Sequence, residues 1–337
     1  MADTHYEAKQ VRFGYREQTA FATPEIDSAA FEEVSIEPFN VDPDVLINEL
    51  SVNHGSRHPV EQITAHSTKG SVGKFPVAGP VDLNDIDQFL YAHFQKVVEE
   101  ADTLYTKTFT HFAEHPSFHD NGGHFLTWVR YHPAASTSQK MGGCIAPRIK
   151  ISGERNGFIK FESDWVSYGT PDDASNPDGT WTPRDGSDLL YFNDIVTATL
   201  TKGAGQSSPV NITMRSFDIE SIFEVEPVGF NTTFGFEDFA LKNRSGSFTI
   251  NMLRDATADE ALISLKAGEL VQLDIDIGLM TINITGKIES VEYDTDGLLA
   301  NTITCRMLAP YVAGTVTDPL TIVVQNAIDR GAGWPAS

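Results

Sequence analysis

Residues 148–165 read RIKISGERNGFIKFESDW and decide the fold class. Apolar residues alternate with polar ones on both sides of a turn at residues 153–157. Because successive side chains of a strand point to opposite sides, this pattern predicts a β-hairpin with one buried and one solvent-exposed face. The same alternation recurs at 273–277, 282–284 and 303–307, so we expect a mainly β fold.

Two helices are expected beside the strands. Residues 82–101 give the clearer pattern, because apolar residues recur at steps of three and four along one face. Asp82, Asn84 and Asp85 supply capping side chains and negative charge at its start. A shorter helix is expected at 257–268, after a capping box and before a glycine. The helix at 82–101 should pack one side on a sheet.

The order of elements predicts a β-sandwich or barrel with one or two flanking α-helices. Residues 51–169 and 191–310 both read as strand, helix, strand and hairpin, which indicates two weakly repeated halves. Residues 1–50 are acidic and interrupted by prolines, so we expect an extended N-terminal arm with short strands. An acidic Pro/Gly loop at 170–190 joins the halves, and 311–337 is assigned to a C-terminal extension.

Composition narrows the functional classes. The chain of 337 residues has 47 acidic against 24 basic residues and a net charge of -23, which argues against gripping nucleic acid through its phosphates. Residues 1–9 lack the pattern of a secretory signal, and no apolar run approaches the roughly 20 residues of a membrane-spanning helix. We therefore expect folding in a cytoplasm and no membrane partner. Cys144 and Cys305 lie in apolar runs typical of buried thiols.

The candidates for chemistry are few. Four of the ten histidines lie in residues 111–124, but neither HExxH nor CxxC is present and Pro116 interrupts a helix there, which favours a polar loop. Asp274 and Asp276 share one face of a strand, as solvated residues do. The known nucleophile and phosphate-loop motifs are missing from the sequence. We therefore expect no enzyme and no cofactor.

Short motifs in the sequence point to a family. Residues 13–24 read FGYREQTAFATP, a strand at 73–80 leads to the helix, a Gly-Cys strand and hairpin run from 143 to 169, and strands at 282–307 follow. In these features the chain resembles the major tail tube proteins of long-tailed bacteriophages over most of its length, with Ala22 where glycine is more usual. The histidine-rich segment 111–132 and the acidic loop 168–190 depart from the simplest pattern of that family.

The resemblance implies a structural virion protein of the phage tail, assembled in the host cytoplasm. Its subunits would form hexameric rings that stack head to tail into a tube. Its partners would be its own copies, a tape measure protein, and tail terminator and tip proteins, while DNA passes through the lumen without specific binding. Ring closure would remove open sheet edges, and an acidic wall would repel DNA.

The residues expected to line the lumen follow from strand alternation. If strands 158–166 and 270–277 form the inner sheet, their polar residues face the channel. These candidates are Lys160, Glu162, Asp164, Asp274 and Asp276.

Two other classes stay open. A carbohydrate- or receptor-binding β-sandwich would present exposed aromatics, and its possible tryptophans are Trp128, Trp165, Trp181 and Trp334. Their scatter along the chain favours core or interface roles. A hydrolase would need converging carboxylates, which a sequence does not reveal.

Overall fold

A computed structural model describes residues 11–23, 31–34, 36–37, 42–50, 65–112, 116–132, 137–169, 172–174, 181–182, 186–203, 208–229, 236–253, 266–294, 300–309, 311–312 and 315–330. These residues form one α-helix, α1 (Ile86–Phe94), and 21 strands. The strands are β1 (Arg12–Glu17), β2 (Phe31–Glu33), β3 (Asp42–Leu50), β4 (Ala65–Pro80), β5 (Val97–Ala101), β6 (Tyr105–Phe109), β7 (Leu126–His132), β8 (Thr137–Glu154), β9 (Ile159–Tyr168), β10 (Asp172–Ala174), β11 (Trp181–Thr182), β12 (Thr197–Lys202), β13 (Val210–Asn211), β14 (Thr213–Val228), β15 (Asp238–Leu253), β16 (Leu270–Asp276), β17 (Met280–Asp294), β18 (Ala300–Met307), β19 (Tyr311–Val312), β20 (Thr315–Val316) and β21 (Leu320–Asn326). The mainly β prediction is confirmed. No helix in these ranges has the length and apolarity to cross a membrane.

Most strands belong to two antiparallel layers that share β17. The first layer has the order β3-β4-β9-β8-β14-β15-β18-β17. The second has the order β13-β12-β16-β17-β21-β6-β5. Residues 280–287 of β17 pair within the second layer and residues 286–294 within the first, with a register shift at 288–290. Since bulges bend strands, β17 forms the corner where the sheet folds over.

The core lies between the two layers. Ile149, Phe217 and Ile250 of the first layer join Leu273, Ile282 and Ile322 of the second in one buried apolar cluster. Helix α1 fills the same space, and all nine of its residues are buried. Because both layers turn their apolar sides inward, the alternating polar residues form two outer faces.

The decisive hairpin at 148–165 is confirmed as part of β8 and β9, with Asn156 in a left-handed turn conformation at φ 67°. The alternating segments 273–277, 282–284 and 303–307 lie in or directly after β16, β17 and β18. Both cysteines are free and buried, as expected.

The predicted helix at 82–101 is wrong in extent, because the helix ends at Phe94. Gln95 adopts a left-handed conformation with φ 58°, and its side-chain amide donates a hydrogen bond to the Ala92 carbonyl at 2.7 Å. The apolar residues after it continue in strand β5, which pairs with β6. Apolar spacing alone predicted a helix to residue 101. The side chain of Gln95 caps the helix and ends it seven residues earlier, at Phe94.

The expected capping at the helix start is also different. The Asp82 carboxylate accepts a hydrogen bond from the Asn84 backbone at 2.9 Å and so forms a turn before the helix. Asp85 occupies the capping position without a side-chain cap, because its carboxylate accepts the Tyr15 hydroxyl at 2.8 Å. A tertiary contact has replaced the local one.

Two predictions fall on residues that the structure does not describe. The second helix at 257–268 lies mostly within 254–265, and residues 294–297, whose sequence DTDG predicts a turn, lie mostly within 295–299. The repeat of two halves depends on that helix, so it stays a prediction.

Strands near both ends of the chain take part in the sheet, although the sequence predicted an extended N-terminal arm and a C-terminal extension there. β1 pairs with β7 and with β2, and Phe13, Tyr15 and Phe31 are buried. β21 lies between β17 and β6 with its apolar residues in the core. Within the acidic loop, β10 pairs with β8 and β11 pairs with β2. These strands of the N-terminal arm, the loop and the C-terminal extension therefore belong to the fold.

Candidate functional site

The five residues predicted to line a lumen lie in two separate groups. Lys160, Glu162 and Asp164 are on β9 of the first layer, and Asp274 and Asp276 are on β16 of the second. Five strands lie between β9 and β16 along the folded sheet, and both strands turn their apolar residues to the same core. The structure therefore brings together the members of each group but not the two groups.

The first group belongs to a surface on which acids and bases alternate, here called the ion-pair face. It consists of Arg148, Lys150, Lys160, Glu162, Asp164, Asp218 and Glu220, on β8, β9 and β14. Arg148 donates to Glu220 at 2.6 Å and lies 3.5 Å from Asp164, while Lys150 lies 2.9 Å from Asp218. Burial lowers the pKa of Arg148, but the hydrogen bond to Glu220 and the nearby carboxylates outweigh it, and the pKa is raised.

The second group belongs to a surface of different composition, here called the polar face. Its outward positions on β12, β16, β17, β21 and β6 are Thr197, Thr199, Gln272, Asp274, Asp276, Thr281, Asn283, Thr321, Val323, Gln325, Thr106 and Thr108. None of these twelve positions holds a lysine or an arginine, and the same outward phase of β17 reaches the exposed Lys287, opposite Leu270, at the end of the face. Asp274 accepts hydrogen bonds from the Asn283 and Gln272 side-chain amides, and Asp276 accepts one from the Gly278 backbone. The carboxylates of this face are thus held by neutral donors.

The tryptophans do not form a platform in the described residues. Trp128 and Trp165 are buried in the core with ring centroids 5.2 Å apart, so the core interpretation is confirmed for both. Trp181 is half-buried and stacks under the Arg12 guanidinium at 4.8 Å, whereas residue 334 lies outside the described ranges. Phe158 and Tyr191, which sequence reasoning did not select, form an exposed pair with centroids 4.5 Å apart.

Two histidines converge on a buried serine, an arrangement that sequence spacing did not show. The Ser221 hydroxyl lies 2.8 Å from His93 Nε2 and 3.1 Å from His111 Nε2. His111 Nδ1 lies 2.8 Å from the Asp318 carboxylate, although the two residues are 207 positions apart. The available signal was Ser221 itself, a polar residue in the apolar phase of Phe217, Ile219 and Phe223 on β14.

The hydrogen-bond partners show which nitrogen of His93 donates and which accepts. His93 Nδ1 donates to the Ala146 carbonyl at 2.7 Å, so its Nε2 accepts the one hydroxyl proton of Ser221. On the other side of the Ser221 hydroxyl lies His111 Nε2, and His111 Nδ1 faces the Asp318 carboxylate. Burial, with the nearby His111, lowers the pKa of His93 to about 3, which fits a neutral ring.

This geometry differs from that of a nucleophilic serine. A catalytic serine gives its proton to a histidine that a carboxylate orients, whereas here the Ser221 hydroxyl donates to His93, which the Ala146 carbonyl orients, and Ser221 is buried. The group is therefore a structural hydrogen-bond chain. Among the residues that the structure describes, no three His, Cys, Asp or Glu side chains are placed to hold a metal ion.

A cavity of about 660 Å³ opens beside the hydrogen-bonded group of His93, Ser221 and His111 and is here called the cationic pocket. Its lining includes Lys96, His111, Phe112, Arg244, Met307 and Asp318. The Arg244 guanidinium lies 4.8 Å above the Phe112 ring and donates to the Phe112 carbonyl at 2.9 Å. Burial lowers the pKa of Arg244, and the Asp318 charge acts in the opposite direction. The pocket thus combines apolar walls with basic groups.

A second set of charges lies in the interior and is here called the buried charge network. It consists of Glu32, Asp87, Lys107 and Arg330. Lys107 Nζ lies 2.6 Å from Asp87, and neither side chain is exposed to solvent. Arg330 donates to Asp87 and to Glu32, both at 2.9 Å. Burial raises the pKa of Asp87, but Arg330 and Lys107 outweigh it, and the pKa is lowered. Its signal in the sequence was Lys107 in the apolar phase of β6.

Comparison of the sequence with known proteins found no relative. No family model matches the chain, and no curated protein matches it.

Proposed function

We propose that the chain is a structural tail tube protein of a long-tailed bacteriophage. Six copies form a ring, rings stack head to tail into a tube, and DNA passes through the lumen. The polar face lines that lumen. The observation that carries the proposal is that the twelve outward positions of the polar face hold the carboxylates of Asp274 and Asp276 and no lysine or arginine, with Lys287 only at the end of the face.

A wall of this kind suits the passage of a polyanion. Duplex DNA carries one negative charge per roughly 1.7 Å, and proteins hold it chiefly through lysine and arginine contacts to phosphates. The centre of this face, which consists of threonine, asparagine, glutamine, valine and aspartate, offers no such cations. At physiological salt the repulsion from Asp274 and Asp276 acts over about 8 Å, so it keeps DNA from resting on the wall.

The ion-pair face is less suited to the lumen. Its cations Arg148, Lys150 and Lys160 lie among carboxylates and would make charge-assisted contacts with phosphates. We therefore retain only Asp274 and Asp276 as lumen residues. Lys160, Glu162 and Asp164 then face away from the channel, where they are available to neighbouring copies or to solvent.

Ring formation also accounts for the edges of the second layer. Among the described residues β5 pairs with β6 alone, and β13 covers only two residues of β12 at the other edge. Open edges invite pairing with other chains, and a closed ring of copies removes them. A tape measure protein and the tail terminator and tip proteins would contact the tube, which assembles in the host cytoplasm and resides in the virion tail.

Negative-stain electron microscopy with analytical ultracentrifugation tests the proposal on the purified chain. At raised concentration we expect six-fold rings or tubes and a sedimentation profile that shifts with concentration. A single monomer boundary at every concentration, together with fields free of rings and tubes, would overturn it.

The alternative function, a carbohydrate- or receptor-binding β-sandwich, is favoured by one observation. Phe158 and Tyr191 are 39% and 45% exposed and stack side by side, as rings that bind a sugar do. A glycan array distinguishes the two functions. Binding that is lost in Phe158→Ala/Tyr191→Ala, by a chain that stays monomeric, would support the alternative.

A further inference from the structure

The cationic pocket lies between the two layers of the sheet. Residues 96, 110–112 and 317–319 line it from the second layer, next to the ends of β5, β6 and β21. Residues 244–245 of β15 and residues 307–309, at the end of β18, line it from the first layer. Its volume of about 660 Å³ falls within the roughly 300–1,000 Å³ of cavities that hold small molecules. The pocket therefore has the size of a ligand site.

Arg244 brings a charge into the pocket that the described residues do not neutralise. A guanidinium has five N–H donors, and the one hydrogen bond from Arg244 to a described residue goes to the Phe112 carbonyl at 2.9 Å. The protein around Arg244 removes water and lowers its pKa, and the Asp318 charge does not offset this loss. An anion that enters the pocket would stabilise this cation and accept its remaining N–H groups.

Lys96 adds a second positive charge, whereas the one acid among the described lining residues is already engaged. Lys96 is exposed and forms no ion pair with a residue that the structure describes. Both oxygens of Asp318 face His111, since one lies 2.8 Å from its backbone nitrogen and the other 2.8 Å from its Nδ1. In a chain with a net charge of -23, the pocket is thus a local region of opposite sign, which attracts small anions.

The apolar part of the lining indicates what kind of anion fits. Leu308 is a large apolar residue that is 40% exposed, and Met307 and Pro319 lie beside it in the same cavity. Met307 packs against Gly246, where any side chain would collide with it. Methionine is flexible and adapts to the shape of its partner. Because burial of apolar surface adds to affinity, these walls favour an organic anion over a bare inorganic one.

We propose that the cationic pocket binds a small organic anion. Arg244 and Lys96 hold its carboxylate or phosphate group, and arginine can do so through two parallel hydrogen bonds. The apolar part of the ligand contacts Met307, Leu308 and Pro319. This activity goes beyond the proposed function, because it needs no second copy of the chain and can be measured whether or not tubes form.

Isothermal titration calorimetry on the purified full chain tests the site with matched probes. Phenylbutyrate should bind at least about tenfold more tightly than phenylbutanol, which has the same apolar part without the charge. Phenyl phosphate should bind at least about tenfold more tightly than inorganic phosphate, which lacks the apolar part. The organic anion that binds more tightly identifies the charged group that the site prefers.

Variants locate the binding in the pocket. Arg244→Gln should weaken the binding of the preferred organic anion about tenfold, and Lys96→Gln should weaken it about threefold. Lys160→Gln removes the same charge at an exposed position of β9, outside the pocket, and should leave the affinity unchanged. In NMR spectra of a chain labelled at its methionine methyl groups, the signal that Met307→Leu removes should shift when the anion is added.

Several results would overturn the inference. It fails if neither organic anion binds at least tenfold more tightly than its matched probe, or if Arg244→Gln binds the anion as tightly as the wild type does. A glutamate peptide that binds the wild type but not Arg244→Gln, while both small anions fail to bind, would assign the pocket to an acidic protein segment instead. Thermal unfolding identifies a variant that fails to fold, and the exposed Lys96→Gln then decides in place of Arg244→Gln.

Discussion

The buried charge network and the ion-pair face use the same chemistry in different surroundings. Lys107 and Asp87 meet at 2.6 Å with no solvent exposure, and Arg148 and Glu220 meet at the same distance with more than a quarter of each side chain exposed. A buried charge that loses its partner has no water to replace it, whereas a surface charge does. Equal distances in the two regions therefore indicate unequal energies.

The two regions also connect different parts of the chain. The buried charge network joins β2, α1, β6 and the segment after β21, whereas the ion-pair face joins strands that are already paired. We infer that the interior charges hold the fold together and that the surface ion pairs contribute little to stability. The variants of Lys107 and Arg148 test this difference directly, and measurements on the buried histidines and on the polar face extend it to other interior and surface groups.

The largest expected effect is acid destabilisation by interior histidines. Burial first, and nearby charges second, lower the folded-state pKa of His93 and of His124 to about 3, against about 6.5 in the unfolded chain. Below pH 6.5 the unfolded state binds more protons, so stability is full above that pH and is lost as the pH falls towards 3. The slope approaches about 1.4 kcal/mol per pH unit for each histidine. Urea unfolding from pH 7 to pH 4 measures this slope. The free energy of unfolding of His93→Gln should depend less on pH than that of the wild type.

The next effect concerns the buried charge network. Lys107→Met should lower the free energy of unfolding by about 3 kcal/mol, because it removes one of two cations from the buried Asp87. Urea denaturation checks this value. Lys107→Met/Asp87→Leu should regain part of the loss, and a single variant within 1 kcal/mol of wild type would contradict the role of burial.

On the ion-pair face the same kind of change should cost far less. Arg148→Ala should lower stability by about 1 kcal/mol or less, since its partners Glu162, Asp164 and Glu220 stay in contact with water. Raising the salt to 1 M should remove most of that difference, because the screening length falls to about 3 Å. If Arg148→Ala lowered the free energy of unfolding as much as Lys107→Met, burial would make no difference between the two regions.

The smallest effect on stability, with a large effect on function, is expected on the polar face. Asp274→Lys/Asp276→Lys should change stability within about 0.5 kcal/mol, yet DNA release from assembled virions should slow at low salt. Glu162→Lys/Asp164→Lys makes the same change of charge on the ion-pair face and should leave release unchanged. Equal release times for both variants, with normal tails by microscopy, would refute the assignment of the polar face to the lumen.

The sequence predicted what depends on neighbours along the chain. Alternation located the hairpin of β8 and β9 and strands β16, β17 and β18, because apolar phase is a local property. It did not show that β9 and β16 turn their polar sides to different faces, since this depends on how the sheet folds over at β17. Nor did it show the end of the helix at Gln95, where one side-chain hydrogen bond outweighed apolar spacing. Ser221 and Lys107, polar residues in apolar phases, were the local signs of both buried polar groups.

The buried charge network has a consequence for synthesis. Arg330 follows Asp87 by 243 positions and Glu32 by 298, so a ribosome must add all of those residues before the network is complete. At about 5–20 residues per second, translation between Asp87 and Arg330 takes on the order of 12–50 seconds. During that interval β6 lacks its β21 neighbour, and the nascent chain does not present a finished polar face. The subunit therefore completes its buried charge network only after Arg330 has been synthesised.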